Sequence, residues 1–123
     1  MYHLMTKKFS KWAKKKKIDA QALTKSLDEV VNGRFEASLG AHIYKKRVAR
    51  SGAGKSGGYR TIICFKQNDR AVYVHGFSKS TKGNVSDKEL LALKEYAGIL
   101  LNMNNDELRT ALTTGALVEV NNG

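Results

Sequence analysis

Between Arg47 and Phe65 the chain reads RVARSGAGKSGGYRTIICF, and at its centre Gly54-Lys55-Ser56 has the residue types that end a phosphate-binding loop. Such a loop needs a glycine five residues before the Gly-Lys-Ser, a strand before it and a helix after it, because the phosphates sit on amides at the helix N-terminus. Ala49 stands at the glycine position, and Gly57-Gly58 run into Tyr-Arg-Thr-Ile-Ile-Cys-Phe, a β-branched and aromatic run that predicts a strand. Nucleoside triphosphate hydrolysis is therefore not the expected chemistry. What remains is a concentration of cations: Ala37 to Asn68 contains no acid and carries Lys45, Lys46, Arg47, Arg50, Lys55, Arg60 and Lys66. Lys45 and Arg47 lie two apart on a predicted strand, so their side chains leave one face. Arg60 enters the neighbouring strand through the glycine loop and joins them.

The charge is partitioned along the chain. A net charge of +11 arises from 22 Lys and Arg against 11 Asp and Glu. Met1 to Ile18 holds seven lysines and no acid, whereas acids such as Asp28, Glu29, Asp87, Glu89 and Glu95 fall in predicted helices. This split predicts one surface facing a polyanion, and nucleic acid is the favoured one. No apolar run of spanning length and no apolar signal core is present, so neither a membrane nor export is expected and the cytoplasm is the expected location. Cys64, the single cysteine, sits in the apolar strand and reads as a small buried hydrophobe rather than a nucleophile. With His3, His42 and His75 scattered, no metal-ligand spacing appears, and neither a metal nor another cofactor is expected.

These residues must be positioned by elements whose signals are clear. With 123 residues, 41% of them hydrophobic, one domain over 1–123 is expected, and no repeat or linker divides it. Thr6 caps a first helix with Phe9, Trp12 and Ala13 on one stripe, and Lys14 to Lys17 end it. Asp19 caps a second helix carrying Leu23, Leu27, Val30 and Val31, with Asn32-Gly33 as the stop. After Gly33 the periodicity shifts to alternation. Strands are predicted over Arg34 to Leu39, His42 to Ala49, Tyr59 to Gln67 and Ala71 to Ser78, the last two joined by Asn68-Asp69-Arg70 in an antiparallel meander. Ser86 and Glu89 form a capping box for a helix with Leu90, Leu93, Ala97 and Leu100, ending near Met103. A short helix over Asp106 to Leu112 and an edge strand at Leu117 to Val120 complete the chain. The expected fold class is α+β: an N-terminal helix pair, an antiparallel sheet of about four strands and C-terminal helices, with the helices covering one face and the other left for a partner.

Taken together, Lys45-Lys46-Arg47-Val48-Ala49-Arg50, the loop from Gly52 to Gly58, Tyr59-Arg60-Thr61-Ile62, Gly76-Phe77-Ser78-Lys79 and Asn84-Val85-Ser86 resemble the RelE/HigB family of bacterial toxins. Phe9-Ser10-Lys11-Trp12-Ala13, Leu39-Gly40 and Gly115 to Val120 extend the resemblance to a RelE-like branch reading K-R-x-A-x-x-G-x-G-K-S-G-G-Y-R. It covers most of the chain. The resemblance implies a ribosome-dependent endoribonuclease, that is, a translation-inhibiting mRNA interferase, held inactive by an antitoxin encoded beside it. Antitoxins of this family often contain a helix-turn-helix DNA-binding domain.

Metal-free cleavage by the RNA 2′-hydroxyl needs a base, cations on the crowded phosphate and an acid for the departing 5′-oxygen. The resemblance places Lys45 and Arg47 on the family's basic strand and Arg60 at its strand-start arginine. Arg60 is then a fork to the scissile phosphate with Arg47 beside it, and Lys45 serves proton transfer or charge stabilisation. Lys79 falls near a further family cation, on the leaving-group side. His75 is a candidate acid or base, set against packing among strand aromatics. Some members use a C-terminal tyrosine as base, but no tyrosine lies between Tyr73 and Tyr96 here, so that role is vacant. Gly54, Gly57 and Gly58 let the loop approach RNA or the ribosome, with Lys46, Arg50 and Lys55 on backbone phosphates. Tyr44, Tyr59 and Tyr73 neighbour the basic strands, Tyr59 being the best candidate to stack on a base. Phe9 and Trp12 read as core. Lys14 to Lys17 read equally as a solvated helix end or a binding site.

Two other readings stand beside the nuclease: the basic composition also fits a module that binds RNA or DNA without cutting it, and the resemblance also allows a gyrase-directed ParE-like toxin, since a related branch of the fold acts on DNA gyrase. The Lys45, Arg47 and Arg60 cluster favours the nuclease, since a gyrase-binding relative has no need of that trio.

Overall fold

The computed structural model describes residues 1–48, 58–78 and 85–120. In chain order it contains β1 (Tyr2–Thr6), α1 (Lys7–Lys15), α2 (Ala20–Val31), β2 (Ala37–Gly40), β3 (Ile43–Val48), β4 (Tyr59–Lys66), β5 (Arg70–Ser78), α3 (Asp87–Leu101), α4 (Asn105–Thr114) and β6 (Leu117–Glu119). The class is α+β, with a six-stranded mixed sheet in the order β2-β3-β4-β5-β1-β6. The expected meander is β2 to β5, each pair antiparallel. Two strands enlarge it. β1 lies parallel to β5, and β6 closes antiparallel onto β1 at the edge. β1 escapes a local reading because Tyr-His-Leu-Met-Thr is short and abuts the helix that Thr6 caps; its ladder is formed with residues about seventy positions away.

The helix signals act as their chemistry dictates. The Thr6 hydroxyl accepts from the Phe9 amide at 3.1 Å and Asp19 from the Ala22 amide at 2.8 Å, each satisfying an otherwise orphaned donor. Ser86 with Glu89 and Asn104 with Glu107 form reciprocal capping boxes on α3 and α4. At the end of α1, Lys17 adopts φ 58° and the Ile18 amide reaches back to the Ala13 carbonyl, so the lysine run terminates the helix through a left-handed residue.

The helices cover both faces of the sheet, which corrects the expectation of one open face. On one side α1 and α2 pack Phe9, Ala13, Leu23, Leu27 and Val30 against Ile63, Ala71 and Tyr73. On the other, α3 and α4 pack Ala97, Leu100, Leu101, Leu108 and Ala111 against Ile43, Ile62, Cys64, Val72 and Val74. The continuous Ile-Ile-Cys run of β4 is the signature of a strand buried on both faces. On the first side the Tyr73 ring stacks on Phe9 at 4.6 Å, and its hydroxyl donates to the Leu23 carbonyl at 2.8 Å. Burial raises the Tyr73 phenol far above its ordinary range.

A β-bulge sets which residues reach which face. Ile62 pairs with His75 but Ile63 with Tyr73, leaving Val74 as the extra residue. Simple alternation would put Tyr73, His75 and Phe77 together. The bulge instead leaves Tyr73 on the α1/α2 side and carries Phe77 to the α3/α4 side, in phase with Arg60.

Candidate functional site: a cationic strand face

Beyond the part of β4 that α3 and α4 cover, the same face of the sheet becomes cationic. Lys45 pairs with Ile62 and Arg47 with Arg60, so both β3 cations follow Ile43 onto the side of Ile62, as the two-residue spacing requires. Phe77 stands opposite Arg60 on β5, and His75 lies opposite Ile62 with its ring centroid 5.8 Å from that of Phe77. Lys45, Arg47, Arg60, His75 and Phe77 therefore form one patch across three strands. Arg47 and Arg60 are directly opposite, a pairing of like charges that weakens a sheet on its own.

The compensating group is Glu36, just before β2. Its Oε1 lies 2.9 Å from Arg60 Nε and its Oε2 lies 3.4 Å from Lys45 Nζ. Arg60 is only 11% exposed against 33% for the carboxylate, so the guanidinium sits under the rim that Glu36 forms. Phe35 turns the other way and packs on Tyr44 at 4.6 Å. Sequence reasoning passed over Glu36, although it is the acid immediately before the acid-free stretch and lies on a predicted strand beside the basic one. Among the described residues no carboxylate pairs with Arg47.

Two residues expected on the nucleic-acid surface lie elsewhere. Lys46 alternates to the α2 side, donating to the Arg34 carbonyl at 2.9 Å and lying 3.5 Å from Glu29 Oε1, so it ties β3 to α2. Tyr59 is 7% exposed and meets Trp12 edge-on at 5.4 Å, on the face opposite Arg60, where no base can stack on it. Tyr73 is likewise enclosed. Gly58 is buried, and a Cβ there would lie 3.0 Å from Arg47 Nε and 3.1 Å from the Val48 carbonyl oxygen, so the missing side chain makes room for Arg47. Arg50, Gly54, Lys55, Gly57 and Lys79 lie outside the described residues.

Two further polar or reactive groups belong to the scaffold. Arg70 is 3% exposed; Nη1 and Nη2 donate to the Leu100 and Met103 carbonyls at 2.8 and 2.9 Å, and Nε donates to Asp69 at 3.1 Å. It caps the C-terminal end of α3, where a cation meets the unsatisfied carbonyls and the negative end of the dipole. Cys64 is fully buried, and desolvation pushes its thiol up to about 12. Among the described residues no His, Cys, Asp or Glu group is arranged to hold a metal, and no helix is long and apolar enough to cross a membrane.

Fold and site define a small basic α+β protein whose conspicuous feature is a compact cationic face on strands β3 and β4. The chain matches the family described as RelE toxin of RelE / RelB toxin-antitoxin system over residues 1–120, and it belongs to that family. The protein is thus the toxin component of a toxin-antitoxin system, with a cognate antitoxin as its partner. The chain matches no curated protein.

Proposed function

We propose that the protein is a ribosome-dependent mRNA endoribonuclease that arrests translation by metal-independent cleavage. The observation that carries this reading is the convergence of Lys45, Arg47 and Arg60 on one face, beside the glycine-rich stretch. In the proposed reaction the 2′-oxygen attacks the adjacent phosphorus as its proton is taken, and the bond to the 5′-oxygen breaks as that oxygen gains a proton. Arg60 and Arg47 hold the non-bridging oxygens, on which charge builds, and preorganised donors aimed at such charge are a large catalytic term. Lys45 adds charge stabilisation or moves a proton. His75 sits on the same face within the aromatic packing of Phe77, and Lys79 is assigned to the leaving-group side. Ribosomal RNA helps to position the message, and the basic loop with Arg50 and Lys55 grips backbone phosphates.

The antitoxin silences this chemistry, and one carrying a helix-turn-helix domain makes the complex a repressor of its own promoter. The protein acts in the cytoplasm, where translating ribosomes are found. Adding purified protein to a translating extract and to naked mRNA, and mapping the ends formed, tests the reading. Cuts confined to translated message are expected; equal cutting of both, or none, contradicts it.

A further inference from the structure

Glu36 is the charged member of this face to which the proposed chemistry gives no part. We propose that Glu36 is a positioning residue that aims the Arg60 guanidinium at phosphate, an inference that rests on reading the cationic face as the site of cleavage. The carboxylate approaches from the edge of the sheet and divides its oxygens, Oε1 to Arg60 Nε at 2.9 Å and Oε2 toward Lys45 Nζ at 3.4 Å. An ion pair made at Nε holds the guanidinium by that end and leaves its Nη1 and Nη2 donors, the edge suited to bidentate phosphate binding, for another anion. The need for an anchor follows from the register. Arg47 and Arg60 stand opposite each other, and without an anion beside them their repulsion drives the two head groups apart. Proton acceptance by Glu36 would break an ion pair at either oxygen, so its contribution is orientation rather than proton transfer.

Such a carboxylate has opposite effects on binding and on turnover. It lowers the attraction of the face for polyanions, and it raises the fraction of bound phosphates that meet a correctly aimed arginine. Glu36→Ala is therefore expected to bind a short RNA oligonucleotide as tightly as the parent or about threefold tighter. Its cleavage at saturating protein on stalled, mRNA-loaded ribosomes is expected to fall by about tenfold to a hundredfold, the penalty of a misplaced catalytic group. Glu36→Gln keeps a side chain of the same length with an oxygen at the same reach from Nε, and is expected to recover part of the rate while retaining the tighter binding. The acidic limb of the pH–rate profile should persist in both variants, with a lower plateau.

A readout independent of cleavage is the ¹⁵N-resolved Arg60 Nε–Hε signal, assigned by its loss in Arg60→Lys. Its exchange with solvent should be slower in the parent, where the ion pair holds a guanidinium that is little exposed, than in Glu36→Ala, with Glu36→Gln between the two. Parental turnover in Glu36→Ala, a rate lost only through weaker binding, or an unchanged Hε signal overturns the proposal. Glu36→Gln as inactive as Glu36→Ala, with the acidic limb of the profile gone in both, makes Glu36 the proton acceptor and also overturns it. If the parent itself cuts nothing, the nuclease reading fails, while the Hε signal and oligonucleotide binding still decide whether Glu36 positions Arg60.

Discussion

Gly58→Ala perturbs the cationic face without removing any of its functional groups. A methyl carbon at this position lies 3.0 Å from Arg47 Nε and 3.1 Å from the Val48 carbonyl oxygen, against an ordinary contact of 3.4–4 Å, so each neighbour must yield by a few tenths of an ångström. The backbone at Gly58 is not in the left-handed region, so alanine carries no conformational penalty there. It gains about 0.4 to 1 kcal/mol by restricting the unfolded chain. Overpacking costs about 1 to 3 kcal/mol, which leaves a net destabilisation of about 0 to 2.6 kcal/mol. The carbonyl is held in the ladder, so the larger displacement falls on the Arg47 side chain. A shift approaching 1 Å in a group that must meet phosphate reduces turnover by up to about a hundredfold, and about tenfold is expected for this smaller one. Thermal unfolding and cleavage on translated message, measured on the same preparation, separate the two effects. Turnover equal to the parent, or a loss no larger than the fraction of unfolded protein, refutes the placement of Arg47 at the phosphate.

Three further outcomes follow from the scaffold. Gly76→Ala would set a methyl carbon 2.6 and 2.7 Å from Cε3 and Cη2 of Trp12, so it should destabilise the fold by about 1 to 3 kcal/mol, read from urea unfolding; combining it with Trp12→Leu should recover part of the loss. Arg70→Ala strands carbonyls at the end of α3 and should cost about 2 to 4 kcal/mol, a drop of roughly 8 to 16 °C in Tm; a change below about 3 °C would show that water caps the helix equally well. Because the folded Cys64 thiol is raised from 9.0 to about 12, the unfolded chain loses that proton first as pH rises. Its contribution is complete below about pH 9 and declines between there and about 12, so Cys64→Ala should flatten the alkaline fall in stability, and a maleimide should label Cys64 only through unfolding.

Local chemistry made most of the fold legible. Thr6, Asp19 and Ser86 each cap a helix through their own side chain, and the Leu23, Leu27 and Val30 stripe is buried as its spacing requires. Long-range pairing was less visible. β1 is five residues long and exists through its register with β5, while the face that α3 and α4 cover is decided by tertiary packing. The turn between β2 and β3 was legible only as Gly40, since Ala41 and His42 adopt φ 52° and 62° without the Asn-Gly chemistry that announces such a hairpin.

The site divides in the same way. Two-residue spacing placed Lys45 with Arg47, and alternation alone would have sent Lys46 to the other side, as observed. Tyr59 fails as a stacking platform because it is adjacent in sequence to Arg60 and therefore opposite in space, against Trp12. The phase of His75 and Phe77 depends on the Val74 bulge, for which the sequence carries no glycine or other local signal. Glu36 owes its importance to a contact that crosses β3 to reach β4, a relation that composition alone does not reveal.

The most direct test of the central claim compares the parent, Arg60→Ala and a variant with Lys14 to Lys17 reversed in charge in a translating extract, with mRNA ends mapped for each. Removing Arg60 also relieves its repulsion with Arg47, so this variant should remain folded, within about 1 kcal/mol of the parent. If the cationic face performs the cleavage, the parent yields discrete ends on translated message, Arg60→Ala yields none, and the charge-reversed variant keeps the same cut positions at reduced efficiency. Parental cutting by folded Arg60→Ala contradicts the account.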